Sequence, residues 1–378
     1  MKREQIAKYL NDTLQEVIGE SAVVNEDLSN IVTIGNEIPS DQLDNIFGKI
    51  IDKVGYVIFV TRKYKGTAPN ILKFDWEFGS ILEKIRVDVP DAVENESWGL
   101  IKGDIVECFQ FTPPSVRAKY FNKAITFEIP ISYTNIQLRD CFSSAERMTT
   151  FFNCVENAIE TGMTAYTDLL QMRTITNMIA LKIHNNNNVV NLLSEYKTAT
   201  GDTTITSATA LSNENFLRHC SKVIKLYEDR IKTLSMLYND DGYATFTPSE
   251  DRKLVLLSEF ARSMETSLYS NTYNKDDVKI DNFDTVSFWQ GSGTIPTFAE
   301  NSKIDLTATN IDGEKVTVSK SGIVGALFDI NGCVVCRRNY RVVSTPVARG
   351  EFVNYWYKWD AEYINDTAEN FIVFTIED

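Results

Sequence analysis

The sequence is poor in the residues that enzyme active sites use most often. It has only two histidines, His184 and His219, so a histidine general base would have to be one of these. His184 falls at the C-terminal end of a predicted helix, where a cation is favourable in any case. His219 lies beside the apolar stripe of another predicted helix. Both positions therefore favour a structural role.

Phosphate-binding and metal-binding patterns are lacking as well. The Gly-Ser-Gly at 291–293 has neither the third glycine nor the strand-to-helix setting of a phosphate loop. The acidic pairs at 240–241 and 276–277 fall in predicted loops and do not have the spacing of cation ligands. We therefore predict no enzyme activity, no cofactor and no metal site.

Long hydrophobic runs are also missing. No segment approaches the ~18–20 apolar residues of a membrane span, and no apolar segment follows the charged N-terminus as in a secretory signal. The six cysteines are scattered, which is typical of free thiols in a reducing compartment. Cys333 and Cys336 have redox or zinc spacing but no second pair, so packing in a strand is favoured. These features predict a soluble protein made inside a cell.

The chain has fewer basic than acidic residues. Lysine and arginine number 38 against 52 aspartate and glutamate residues, which gives a net charge of −14. Such a surface argues against tight binding of nucleic acid, because phosphate contacts need cations. The tightest basic cluster, Arg337, Arg338 and Arg341, could meet DNA, an acidic neighbouring subunit or solvent.

What the sequence does contain is one very long predicted helix, from Ser143 to about His184. This stretch contains one glycine, Gly162, and no proline, and its apolar residues recur at helical spacing. Ser143 and Glu146 predict a capping box at its start, and the four asparagines at 185–188 predict its end. At ~1.5 Å per residue this helix would be on the order of 60 Å long.

The residues before the long helix predict an arm and an extended hairpin. Short helices are predicted at Glu4–Val17 and from Ser40 to about Val54. Strand-like segments separated by proline and glycine then run from Tyr56 to Ile131. The last of these, Thr126–Ile131, alternates between polar and apolar residues. We interpret these segments as a long β-hairpin arm, with a small packed β-subdomain as the alternative.

The residues after the long helix predict a separate α/β unit and a return to strands. Helices are predicted at 213–238 and, after the capping sequence at 247–250, as far as Leu268. Asn331-Gly332 predicts a hairpin turn between two apolar strands, and Phe371–Ile376 predicts a last strand. Phe352–Ile364 predicts a strand that places these residues on one face: Val353, Tyr355, Tyr357, Trp359, Ala361 and Tyr363.

Several stretches, in this order along the chain, resemble one protein family. Asn45–Ile58 leads into the extended segment, Phe142–Met178 forms the long helix, and Gly322–Val335 with Arg349–Trp359 leads back into strands. They resemble the E-loop entry, the spine helix and the P-domain return of the tailed-phage major capsid proteins, which have the Hong Kong 97-type fold. The head proteins of phi-29-like short-tailed phages are the most similar. Residues 254–260 resemble an A-domain strand that leads into a helix, in conflict with the helix predicted there.

The resemblance implies an α+β, Hong Kong 97-like major capsid fold. Its parts would be an N-terminal arm at 1–45 and an extended β-hairpin E-loop at 61–123. An α/β A-domain would occupy 189–345. The P-domain would combine 46–60, 124–188 with the spine helix at 143–184, and the return strands at 346–378.

The resemblance also implies a function. Subunits would assemble as hexamers and pentamers into the icosahedral or prolate shell of a tailed double-stranded DNA phage, in the host cytoplasm and away from membranes. A short arm implies a separate scaffolding protein, and the shell implies a portal protein. Packaged DNA would lie near an acidic inner wall without specific binding.

The E-loop of one subunit would lie across its neighbour. We expect the charged and aromatic residues of this arm to make the intersubunit contacts. These residues are Arg62, Lys63, Lys65, Trp76, Lys84 and Arg86.

Other protein classes remain as alternatives. An encapsulin-like nanocompartment shell protein would share the fold but enclose enzymes. A phage tail or receptor-binding protein is a less favoured alternative, suggested by the β-structure and the many Asn and Thr residues, and a hydrolase is disfavoured by the missing nucleophile and base.

Overall fold

The computed structural model describes residues 3–17, 23–37, 49, 67–73, 82–89, 92, 99–102, 111, 113–121, 124–270, 280, 282–290, 297–309 and 313–378. Among these residues the helices are α1 (Arg3–Val17), α2 (Ile31–Glu37), α3 (Asn135–Cys141), α4 (Ala145–Asn185), α5 (Leu192–Thr200), α6 (Ser207–Ala210), α7 (Glu214–Arg230), α8 (Ser258–Ser270) and α9 (Phe298–Asn301). The strands are β1 (Leu72–Lys73), β2 (Leu82–Val87), β3 (Val116–Phe121), β4 (Ala124–Thr134), β5 (Val189–Asn191), β6 (Arg252–Leu257), β7 (Phe283–Val286), β8 (Ile304–Thr309), β9 (Lys315–Lys320), β10 (Ile323–Asp329), β11 (Cys333–Val347), β12 (Phe352–Asn365) and β13 (Phe371–Thr375). No helix in this part of the chain is both long and apolar enough to cross a membrane.

The chain divides into two compact units. The first contains residues 1–77, 124–172 and 335–363, and the second contains 78–123, 173–334 and 364–378. The division falls inside α4, after Met172. The domain boundaries implied by the family resemblance stay predictions.

The N-terminal helix forms as predicted. In α1 the residues Ile6, Leu10 and Leu14 are buried on one stripe, and the Asn11 side chain closes the following loop through two hydrogen bonds with the backbone of Val24, at 2.9 and 2.6 Å. The helix α2 was not predicted. Apart from Lys49, the helix predicted from Ser40 and the strand predicted at Tyr56 lie outside the described residues.

The long helix α4 is continuous from Ala145 to Asn185, which confirms the long helix predicted from Ser143 to about His184. Its predicted capping box is wrong by one residue. The Oγ atom of Ser144 accepts the hydrogen bond from the Arg147 amide at 3.2 Å, whereas the Ser143 hydroxyl donates to the Asp140 carbonyl. The asparagine tract ends the helix as predicted, because Asn186 and Asn188 adopt left-handed backbone angles (φ 48° and 58°) that asparagine tolerates well.

A four-stranded sheet in the order β1-β11-β12-β4 belongs to the first unit. β12 runs antiparallel to β4, from Phe352 beside Thr134 to Glu362 beside Ala124. The alternation predicted for Thr126–Ile131 is confirmed, because Thr126, Glu128 and Pro130 are exposed while the residues between them are partly buried. Two distant parts of the chain therefore share one ladder.

Aromatic side chains of this sheet pack against the first part of α4. Phe127 lies 5.9 Å from the ring of Tyr166 on the helix and 5.5 Å from Trp359 on β12. Tyr133 contacts Phe151 and Tyr355 in the same way, with ring centroids 5.0 and 6.0 Å apart. The sheet therefore packs against one side of the helix through these rings.

The predicted inner face of β12 is correct as far as Ala361 and wrong beyond it. Val353, Tyr355, Tyr357 and Trp359 are buried. After Ala361 the alternation breaks, since Glu362 and Ile364 are also buried and Tyr363 is only partly so. Glu362 is buried because it pairs with Arg338 on β11, and an ion pair of this kind makes a charged residue tolerable in the interior.

The second unit contains a five-stranded sheet in the order β5-β13-β10-β6-β7. The helix predicted from 247–250 to Leu268 is wrong in its first half, because Arg252–Leu257 is the strand β6 and α8 begins only at Ser258. Leu254–Leu257 is buried at every position, and β6 lies between β10 and β7 in the sheet. A strand of this kind has no alternation from which to be identified. The family resemblance had indicated the strand correctly.

The helix predicted at 213–238 is too long. α7 ends at Arg230, and the chain then folds back so that Ser235 and Thr245 form a β-bridge. Leu234 and Leu237, which the pattern placed on a buried stripe, are 50% and 71% exposed. The fold-back is stabilised by Asn239, whose side chain bonds both the amide and the carbonyl of Tyr243.

The hairpin predicted at Asn331-Gly332 does not form, although the turn does. The Gly332 amide donates to the Asp329 carbonyl at 2.8 Å, but β10 and β11 belong to different sheets. The turn therefore separates two sheets instead of joining a pair of strands. The last strand is β13, as predicted, and it lies between β5 and β10.

Gly322 provides a test of how β10 and the C-terminal residues fit together. Its φ is +84°, and an added Cβ would collide with the Ile376 carbonyl. We expect Gly322→Ala to lower the free energy of unfolding by about 3 kcal/mol, combining a left-handed backbone with a backbone clash. Urea denaturation of the unassembled protein would measure this.

Gly242 is the matched control, because it has φ +69° but open space around its Cβ position. Gly242→Ala should cost only about 1 kcal/mol, from the backbone conformation alone. Equal losses for the two variants would contradict the steric role of Gly322.

Candidate assembly surface

Strands β2 and β3 form an antiparallel pair, Leu82–Val87 with Val116–Phe121, which we call the arm ribbon. Lys84 lies opposite Lys119 and Arg86 opposite Arg117. Residues directly opposite each other share a face, so these four cations form one basic face. The arm ribbon makes no ladder with another strand of the described chain.

Three carboxylates face this basic surface, and we call them the acidic cup: Asp241, Asp366 and Glu369. Asp366 and Glu369 lie in the turn between β12 and β13, and Asp241 lies in the turn that follows α7. The Asp366 side chain is 1% exposed and that of Glu369 is 11% exposed. Carboxylates buried to this extent need cationic partners.

The arm ribbon supplies those partners. Lys84 Nζ lies 2.6 Å from Asp366 Oδ2 and 2.5 Å from Glu369 Oε1, and Arg86 pairs with Glu369 as well. Lys119 Nζ lies 3.0 Å from Asp241 Oδ2 and 3.1 Å from Asp366 Oδ1. A network of paired charges therefore holds the ribbon against the cup.

An aromatic ring extends this contact. The guanidinium groups of Arg86 and Arg117 lie 5.5 and 4.8 Å from the centre of the Tyr243 ring. Arg117 also pairs with Asp88 at 3.2 Å. Cation–π contacts at a partly exposed site add modestly to binding.

The turn that carries Asp241 and Tyr243 is fixed from behind by the neighbouring Asp240. Its Oδ1 accepts hydrogen bonds from Lys182 Nζ and Asn187 Nδ2, both at 2.6 Å, and its amide donates to the Thr367 carbonyl at 2.9 Å. Lys182 is fully buried, and this burial lowers its pKa despite the nearby Asp240. The cup is thus a preformed site rather than a chance grouping of surface charges.

The charges in the cup shift one another's pKa. Burial alone would raise the pKa of Asp366, but the Lys84 and Lys119 ammonium groups outweigh it and hold the pKa below the ordinary value. Burial alone would lower the pKa of Lys119, but Asp366 and Asp241 raise it above the ordinary value. Both shifts favour the charged forms, as expected for a paired network.

The opposite face of the arm ribbon is apolar and exposed. Ile85, Val87 and Val116 are 61%, 59% and 55% exposed, and Val89, just beyond the ribbon, is 56% exposed. Alternation along the two strands separates this face from the basic one. Adjacent exposed apolar residues on a two-stranded ribbon are unusual for a surface in contact with water.

Two of the six residues predicted to contact a neighbouring subunit, Lys84 and Arg86, lie in the ion-pair network of their own chain. Arg62, Lys63, Lys65 and Trp76 are outside the described residues. Whether these residues make intersubunit contacts stays a prediction.

Lys119 and the three carboxylates of the cup were not predicted from the sequence. One pattern in the sequence could have indicated a pair of strands. Basic residues alternate at 84 and 86 and again at 117 and 119. The carboxylates lie more than a hundred residues away along the chain and gave no such signal.

The basic cluster at 337–341 is paired inside its own chain. Arg338 pairs with Glu362, and Arg337 donates to Thr167 Oγ1 at 3.1 Å. Arg341 contacts both oxygens of Asp360, at 3.0 and 3.1 Å. Burial alone would raise the pKa of Asp360, but hydrogen bonds from Arg341, Thr126 and Asn339 lower it to about 2. This cluster joins strands of the first unit's sheet.

The described part of the chain contains no group of three or more His, Cys, Asp or Glu side chains placed to bind a metal. His184 is exposed. His219 packs edge-on against Tyr196, and burial is the main cause of its lowered pKa. Cys333 and Cys336 are buried, and burial raises the pKa of the Cys333 thiol.

Removal of one cup carboxylate should release the arm ribbon. Asp366→Asn takes away the charge that Lys84 and Lys119 share, and we expect attachment of the ribbon to weaken by about 3 kcal/mol. Hydrogen-exchange mass spectrometry of the unassembled protein should show faster exchange at 82–87 and 116–121. Asp284→Asn is the control, since it removes the partner of Lys253 at 2.8 Å on β6 and should leave the ribbon unchanged. Unchanged exchange in Asp366→Asn would refute the network.

Acid should have the same effect as this substitution. Because the folded pKa of Asp366 lies below the ordinary 3.8, its stabilisation is complete above about pH 4 and is lost as pH falls through the folded pKa. Lys119 has a raised pKa and stays charged throughout this range. Protection factors of the ribbon amides, corrected for intrinsic exchange, should be constant near neutral pH and fall below about pH 4. A loss centred near neutral pH would contradict this assignment.

Comparison with known proteins identifies the family. The family model for the Phi29-like phage major capsid protein matches residues 6–375, and no curated protein sequence matches the chain. Among solved structures, a chain in the capsid structure of Staphylococcus phage Andhra is similar at 11% identity and a TM-score of 0.54, over 84% of this chain and 86% of that one. A chain in the structure of the head fiber and inner core protein gp22 of native bacteriophage P68 is similar at 14% identity and a TM-score of 0.50, over 83% and 86%. The fold is therefore that of phage capsid proteins, and the chain belongs to the Phi29-like phage major capsid protein family, whose members form the phage shell.

Proposed function

We propose that this shell protein assembles as hexamers and pentamers into the icosahedral or prolate capsid of a tailed double-stranded DNA phage. Assembly would take place in the host cytoplasm, with a separate scaffolding protein and a portal protein. The protein would be structural and have no enzymatic activity. DNA would lie near its acidic surface without specific contacts, in keeping with the net charge of −14.

The observation that carries this proposal is the exposed apolar face of the arm ribbon. Ile85, Val87 and Val116 lie side by side and are more than half exposed in the single chain. Burying each of these side chains at an interface would contribute about 1–2 kcal/mol. A shell repeats the same contact in every subunit, so a moderate gain for each copy is sufficient for assembly.

The proposed arrangement of parts follows the family. The arm ribbon belongs to an E-loop at 61–123 that lies across a neighbouring subunit, and α4 is the spine helix. The P-domain includes the sheet of β4 and β12, and the A-domain contains the sheet around β10. In the E-loop, Arg62, Lys63, Lys65 and Trp76 are proposed contact residues together with Lys84 and Arg86.

Charge placed on the apolar face should prevent assembly. We expect Ile85→Asp combined with Val87→Asp to remove closed shells, because a carboxylate buried at the interface lacks a partner. Negative-stain microscopy and sedimentation would show single subunits or small oligomers. Circular dichroism should be unchanged, since both side chains are exposed in the single chain.

The matched control keeps the face apolar. Ile85→Val combined with Val87→Ile preserves area and shape, and should give normal shells. Deletion of residues 65–117 is the coarser variant and should also abolish shells. Normal shells from the deletion variant or from the aspartate variant would show that the arm is not an assembly element.

A further inference from the structure

We propose that in the shell the acidic cup of each subunit binds the arm ribbon of a second copy, so that the ion-pair network seen within one chain is exchanged between neighbours. This inference rests on the proposed assembly function and adds the binding site for the arm. The cup would act as a receptor for Lys84, Arg86 and Lys119. In the unassembled chain, its own ribbon would occupy that site.

The ribbon is attached to the cup through side chains, so the ribbon of one subunit can be replaced by that of another. Every described hydrogen bond and ion pair between the two comes from a side chain of the ribbon, such as Lys84, Arg86 or Lys119. No backbone ladder joins the ribbon to the sheet of β10 and β13. The ribbon can therefore leave without disrupting the sheet, and an identical ribbon from another copy can form the same contacts.

The cup cannot remain empty after such a departure. With the ribbon in place the Asp366 carboxylate is 1% exposed, and its cationic partners are Lys84 and Lys119, with Arg86 3.7 Å away. Departure of the ribbon would leave Asp366, Glu369 and Asp241 close together without a cation between them, and the repulsion among the three carboxylates would be unfavourable. A ribbon that moves onto a neighbour must therefore be replaced in its own cup by another cationic group.

Charge complementarity favours the arm ribbon of a second copy as the group that fills the vacated cup. The chain is acidic overall, with a net charge of −14, so two copies repel each other except where a basic surface meets an acidic one. The arm ribbon carries four cations on one face, at the spacing that the cup already matches. Exchange keeps every ion pair of the single chain, and the apolar face around Ile85 and Val87, on the other side of the ribbon, stays available for contact with a further subunit.

Mixed-isotope cross-linking distinguishes exchange from attachment within one chain. Unlabelled and heavy-isotope-labelled proteins are mixed in equal amounts before assembly. A carbodiimide then joins touching amines and carboxylates without a spacer. Lys84 and Glu369, 2.5 Å apart, should form a linked peptide pair that mass spectrometry identifies.

In unassembled protein both halves of this pair should carry the same isotope. In shells, about half of the pairs should combine one light and one heavy peptide, because neighbours are drawn at random. The pair of Lys253 and Asp284, on adjacent strands of one sheet, is the internal control and should remain unmixed. Shells assembled from each protein separately and then combined should also give no mixed pairs.

The outcomes separate this inference from the function on which it rests. Closed shells with unmixed Lys84–Glu369 pairs, or with no such pair, would overturn exchange and leave the capsid function intact. If the mixed protein forms no shells under any assembly condition, the proposed assembly fails and the exchange fails with it. Mixed pairs in shells, together with unmixed pairs in free subunits, would establish the cup as the receptor for a neighbour's arm.

Discussion

The packing of aromatic side chains between the sheet and the long helix is the interaction on which the first unit depends. Phe127 contacts both Tyr166 on α4 and Trp359 on β12, so one ring joins three elements from distant parts of the sequence. Rings at these separations gain from both apolar burial and favourable geometry. The antiparallel register between β4 and β12 keeps Phe127 and Trp359 on the same face. With the helix and the ladder fixed to each other in this way, a helix of 41 residues is stabilised along part of its length by the sheet and not by its own propensity alone.

The second unit uses charge where the first uses aromatic rings. The acidic cup binds three basic side chains of the arm ribbon, Lys84, Arg86 and Lys119, although the chain as a whole is strongly acidic. Such a contact is specific, because few other surfaces of the same protein can satisfy buried carboxylates. It is also reversible, since ion pairs weaken in salt and acid whereas an apolar core does not. A subunit that must be stable alone and then change partners needs both properties.

The elements that were predicted correctly from the sequence are those whose apolar residues recur at a regular period. The long helix, the alternation in β4 and most of β12 were predicted because their apolar residues recur at the period of a helix or of a strand. β6 was mistaken for a helix because all of its central residues are buried, which leaves no pattern. α7 was extended too far because Leu234 and Leu237 continue the helical spacing after the chain has turned.

The candidate surface was only partly predictable for a related reason. Lys84 and Arg86 were chosen as charged residues of an extended arm, and this needed no knowledge of their partners. Asp366 and Glu369 follow them by more than 280 residues, and a pairing at that distance is set by the fold rather than by local sequence. The family resemblance supplied the order of elements but not the contacts of individual side chains.

The position of β13 has a consequence for folding. It lies inside its sheet, with β5 on one side and β10 on the other. Until residues 371–375 are in place, β5 and β10 have open edges that can pair with other chains. The sheet of the second unit is therefore completed only when the chain returns to it after β12, and a subunit whose β13 has detached would be prone to aggregation.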